Sequence, residues 1–75
     1  MIQVRVKNHK TLVHHATYNN MEFLNKLRYP YMSRTKDTSL FVDVMCDKEL
    51  PKEERPWRHA RLDNGYLLAV RYVDD

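Results

Sequence analysis

The sequence predicts a small α+β domain: an antiparallel sheet with one short helix packed on it, in the order ββαβββ. Three observations predict it. Residues 2–7 alternate apolar and polar, Asn19 and Glu22 stand at the spacing of a helix start, and Asn64-Gly65 separates two strand-like runs. At 75 residues with 43% hydrophobic content, the expected unit is one compact domain over 1–75 with one modest core.

Ile2, Val4 and Val6 point one way and Gln3, Arg5 and Lys7 the other, the pattern of a half-buried strand. Asn8-His9-Lys10 reads as a turn. Residues 11–18 are β-branched and aromatic enough to return as a second strand, with Leu12, His14, Ala16 and Tyr18 on one face. Asn19 then serves as N-cap and Glu22 closes a capping box, with Tyr18 and Phe23 at the staple positions. The helix spans about 20–28 and ends before Pro30, because the residue preceding a proline is steered away from helical angles. Its buried stripe is Phe23, Leu24, Leu27 and Tyr31. A helix this short must pack on a sheet to persist.

Residues 31–38 read as a polar, basic loop, and residues 39–46 as a third strand with Leu40, Val42 and Val44 inward. Residues 47–56 form a charged connection in which Pro51 can open one helical turn. The last hairpin pairs 57–62 with 67–73 around a two-residue type I′ turn at Asn64-Gly65. That register sets Leu62 opposite Leu67 and Arg58 opposite Arg71. One face then carries Trp57, His59, Arg61, Tyr66, Leu68, Val70 and Tyr72. The other carries Arg58, Ala60, Leu62, Leu67, Ala69, Arg71 and Val73. The aromatic face is expected to be the core, since large rings bury the most area. Like charges at Arg58 and Arg71 then need a counter-charge: an acid such as Asp43, or a bound phosphate or partner carboxylate.

The charge is uneven. Residues 1–36 hold seven Lys or Arg and one acid, a net +6, whereas residues 37–75 come to −3. Within the first half, Lys26 to Lys36 (KLRYPYMSRTK) combines four cations with two tyrosines. Arg28, Arg34 and Lys36 suit phosphates, and Tyr29 or Tyr31 suits base stacking. Arg5 and Lys7 add to that half, and Arg58 and Arg71 form a separate pair. The competing account is plain: Lys26 and Arg28 complement a helix dipole, and charge halves interleave on folding.

Other chemistry has weaker support. A single cysteine, Cys46, excludes an intrachain disulfide and fits a reducing compartment. The segment Met1-Ile2-Gln3-Val4-Arg5 is too charged for a signal peptide, and no apolar run approaches a membrane span, so the expectation is cytoplasmic. His14 and His15 point oppositely on a strand, and no CxxC or HxH pair occurs, so no metal or other cofactor is expected. No glycine-rich loop exists to cradle a nucleotide. The expectation is a non-enzymatic binding protein whose basic, tyrosine-containing surface engages nucleic acid or a nucleoprotein complex, RNA-binding being one form of it. Lys26, Arg28, Tyr29, Arg34, Lys36, Arg58, Arg71, Arg5 and Lys7 are the candidate contacts. An alternative is a protein-directed inhibitor or adaptor docking on a larger host protein, similar in size to small phage accessory proteins. A third is a small metal-free ribonuclease using His59, Arg61 and Tyr66, or Arg58 with Arg71, an inventory that resembles bacterial messenger-cleaving toxins.

Overall fold

Ile2, Val4 and Val6 drive the first strand, and all three are fully buried. The computed structural model describes residues 1–27, 34–62 and 65–74, with the backbone alone for 34–37. β1 (Ile2–Asn8) pairs antiparallel with β2 (Thr11–Tyr18). Between them His9 takes a left-handed φ of 57°, which histidine tolerates better than most residues. The register runs Val4↔Ala16 and Val6↔His14, then shifts so that Lys7 meets Leu12. This bulge overturns one expectation. Leu12 leaves the face of His14, Ala16 and Tyr18 and joins that of Lys7, where it stands 50% exposed.

α1 (Asn20–Lys26) starts where the cap signals place it. The Asn19 side chain accepts from Glu22 N at 2.9 Å, and Glu22 Oε1 accepts from Asn19 N at 3.1 Å. Phe23 and Leu27 point into the core. Tyr31, expected beside them, lies outside the described residues.

The strand expected over 39–46 is instead helix, α2 (Arg34–Cys46). The alternation of Leu40, Val42 and Val44 is a coincidence of a short apolar run, which fits either period. In the helix Leu40 and Val44 are buried, Phe41 and Met45 pack beside them, and Val42 faces solvent. That is the i, i+1, i+4, i+5 stripe of a helix lying on a sheet. Packing decides between the two: α1 is seven residues long and leaves much of the sheet uncovered. The basic loop expected over 31–38 is likewise corrected, because helix begins at Arg34.

Two 3-10 turns, Asp47–Glu49 and Lys52–Glu54, lead to β3 (Arg58–Arg61) and β4 (Tyr66–Tyr72). The strands form one antiparallel sheet in the order β2-β1-β4-β3. Both helices cover one face and share its core, which joins Phe23, Leu27, Leu40 and Val44 to Ile2, Val4, Val6, Leu62, Leu68, Val70 and Tyr72. The fold is α+β as expected, but the element order is ββααββ rather than ββαβββ.

The final hairpin differs from expectation by one residue. Arg61 pairs with Leu67, Ala60 with Leu68, and Arg58 with Val70. Leu62 N donates to Tyr66 O at 2.9 Å, and Gly65 N donates to Leu62 O at 3.2 Å. Three residues, not two, separate the paired ends, and Gly65 has a φ of 84°, the left-handed position such loops give to glycine. The conformation of Asn64 lies outside the described residues. A slip of one residue turns every side chain of β3 to the opposite face. Ala60 and Leu62 therefore join Leu68, Val70 and Tyr72 against the helices, while Trp57, His59 and Arg61 turn outward.

Candidate nucleic-acid interface

The four strands contain five Lys or Arg residues and no Asp or Glu. Strand alternation sends four of those cations, Arg5, Lys7, Arg61 and Arg71, to the face away from the helices. Acids of the described residues sit elsewhere: Glu22 on α1, Asp37 and Asp43 on α2, Asp47, Glu49, Glu53 and Glu54 in the connection, and Asp74 beyond β4. The charge split along the chain does not survive folding as such: Arg61 and Arg71 on this face come from the second half, while Lys26, Arg34 and Lys36 of the first half lie on the helices.

Register pairs arrange the outer face in rows across the sheet. Thr17, Gln3 and Arg71 form one row, with Trp57, the residue before β3, against Arg71. His15, Arg5, Ala69 and His59 form the next. Leu12, Lys7, Leu67 and Arg61 form the third. Trp57 is half-buried, and the guanidinium carbons of both Arg5 and Arg71 lie 4.6 Å from its ring centroid. Two cations thus share one ring, an attractive cation–π arrangement for each that leaves their mutual repulsion without a facing carboxylate on the strands.

Gln3 ties the first row to the second. Arg71 can only donate, so it donates to Gln3 Oε1 at 2.7 Å. The Gln3 amide nitrogen is left to donate to His15 Nε2 at 3.3 Å, which requires that nitrogen to be unprotonated. Arg71 Nε is buried without a hydrogen-bond partner. Between the rows lies a shallow depression of about 120 Å³ lined by Arg5, Lys7, Trp57, His59, Leu67 and Ala69. A larger depression of about 540 Å³ lies by Met1, Asn19, Asn20, Met21, Lys48 and Tyr72. Its one aromatic lining residue, Tyr72, is committed to the core, so volume alone does not make it the better site.

Of the residues expected to bind, the outer face brings together Arg5, Lys7 and Arg71. Lys26 lies on α1 in the other layer, 3.2 Å from Glu22, where it complements the helix end. Arg34 and Lys36 fall in the first turns of α2. Arg28 and Tyr29 lie outside the described residues. Arg58 does not face Arg71 at all. It sits on the helix side and holds the buried Asp47 through Nε at 2.8 Å and Nη2 at 2.6 Å. The acid bonded to it is therefore Asp47, while the expected Asp43 acts on it only as a nearby charge. These hydrogen bonds from Arg58 hold the Asp47 carboxyl below its ordinary value against the opposing effect of burial. The Asp47 carboxylate in turn raises Arg58.

Of the residues the ribonuclease alternative uses, Arg58 and Arg71 lie on opposite faces, and Arg61 and Tyr66 line one depression with Leu62, Gly65 and Leu67. Tyr66 packs toward the core while His59 and Arg61 face outward. Sequence reasoning groups Trp57 with Tyr72, but Tyr72 is core and Trp57 belongs with Arg5 and Arg71. The alternation of Gln3, Arg5 and Lys7 is the available signal for this face. A three-residue hairpin loop is the missing one. Among the described residues no group of three or more His, Cys, Asp or Glu is placed to hold a metal, and no helix is long and apolar enough to cross a membrane. Comparisons with protein-family models, with curated proteins and with solved structures each find no match.

Proposed function

We propose that the chain is a non-enzymatic nucleic-acid-binding protein and that the outer sheet face is its contact surface. One observation carries this: Arg5 and Arg71 lie against Trp57, and Lys7 and Arg61 share their face, on strands that hold no acid. Phosphates are a natural counter-charge to such a face, and their contact releases counterions from the nucleic acid. This moves the expected interface from the Lys26–Lys36 segment to the sheet and keeps Arg5, Lys7 and Arg71 as contacts.

The test is a binding titration with a labelled oligonucleotide over a salt series. Arg5→Gln, Lys7→Gln and Arg71→Gln are each expected to weaken binding and to lower the salt slope by about one contact. Lys26→Gln, in the other layer, should leave both unchanged. Absence of binding at low salt, or binding indifferent to salt, overturns the proposal.

Docking on a protein is a second reading with its own observation. β2 is an open edge of the sheet and exposes Leu12 and Val13. Such an edge suits strand addition. A defined protein partner that persists in a pull-down after nuclease treatment favours this reading over the first.

A further inference from the structure

Resting on the nucleic-acid reading, we infer that the outer face takes an unpaired strand, with a base stacked at Trp57 over the depression floored by Ala69. A duplex hides its base faces and offers phosphates and groove edges. Reading its major groove requires a helix or ribbon that enters a channel about 12 Å wide. Both helices here are committed to the opposite face of the sheet. What the outer face offers instead is a sheet surface with apolar and planar groups set between cations: Trp57, Leu67 at 37% exposed and Leu12 at 50% exposed.

Phosphates alone do not use such groups. The flat apolar faces of unpaired bases do, and bases stack equally on aromatic rings and on guanidinium planes. The rows supply both. Ala69 has the smallest side chain of the depression's lining, between Leu67 in one row and Trp57 beyond the other. A ring can therefore settle against the strand backbone there. Arg5 and Lys7 line the same depression; Arg5, 4.6 Å from the Trp57 centroid, yields its place on the ring to the entering base and turns with Lys7 to the flanking phosphates. Arg71, with its buried and unpartnered Nε, supports the Trp57 ring from the sheet.

Trp57 is the only tryptophan in the sequence, so its fluorescence reports this site directly. The experiment titrates the full chain with a twelve-residue oligouridylate, a twelve-residue oligothymidylate and a mixed-sequence duplex of the same length, at low salt. Fluorescence is read together with the anisotropy of a labelled strand. Saturable quenching by either single strand, with duplex affinity about tenfold weaker or less, is the expected result. The stronger of the two single strands shows whether ribose or deoxyribose is preferred. Trp57→Leu should lower single-strand affinity by about tenfold, the effect of removing one stacked base, and leave duplex affinity little changed. Trp57→Phe keeps a ring and should retain most of the affinity, so it serves if the leucine variant does not fold. Duplex binding as tight as single-strand binding, with Trp57 emission unmoved, overturns this inference and leaves the polyanion reading standing. Failure of every nucleic acid to bind at low salt overturns the polyanion reading itself.

Discussion

Leu67 and Leu68 are adjacent, chemically identical and on opposite faces of β4, so truncating each tests which face the helices cover. Leu68 is fully buried in the core, whereas Leu67 is 37% exposed on the outer face. Leu68→Ala removes buried methyl groups and leaves a cavity in a tightly packed layer. Its expected cost is about 3–4 kcal/mol, within the range of such core truncations. Leu67→Ala loses only partly buried area and leaves an open surface. Its expected cost is about 1–1.5 kcal/mol. A chain of this length has a total stability of roughly 4–11 kcal/mol, so the first change is severe and the second tolerable. Urea unfolding followed by circular dichroism separates them. With a slope of about 1 kcal/mol/M, the two midpoints should differ by about 2 M, and Leu68→Ala should melt roughly 15–25 °C below the wild type. Equal losses, or a larger loss for Leu67→Ala, would refute the assignment of faces and with it the outer surface as drawn. Because Leu67→Ala stays folded, its effect on oligonucleotide binding is then readable.

Two further outcomes follow from local chemistry. Asp47 is held below its ordinary value of 3.8 by Arg58, so its contribution to stability is present above that value and is lost as pH falls through the still lower folded one. Asp47→Asn should therefore unfold at lower urea than the wild type at pH 7, with the gap closing in strong acid; a gap constant with pH would show that the ionised carboxylate contributes nothing. Gly65 has a φ of 84°, and a Cβ added there would meet nothing within 4 Å, so Gly65→Ala should cost about 1–2 kcal/mol through backbone strain alone. Gly65→Asn should cost less, and a thermal melt of the alanine variant matching the wild type would remove the left-handed requirement.

Local signals determined local structure. The alternation from Ile2 to Lys7, the Asn19–Glu22 capping box and the glycine of the last hairpin all operate within a few residues, and β1, α1 and the positive φ of Gly65 appear where they point. The α+β class followed from these. Where two arrangements are nearly equal locally, only packing chose. Residues 40–45 fit either a strand or a helix, and the uncovered face of the sheet selected the helix. The hairpin fits either a two- or a three-residue loop, and burial of Leu62 beside Leu68, Val70 and Tyr72 goes with the longer one. The surface was decided the same way. Arg5, Lys7 and Arg71 were legible as cations, but the meeting of Arg5 and Arg71 at Trp57, with Lys7 on the same face, depends on a register between strands far apart in the chain. A register across β1, β4 and β3 is a long-range property, set by which side chains the core accepts, and no short window of sequence contains it.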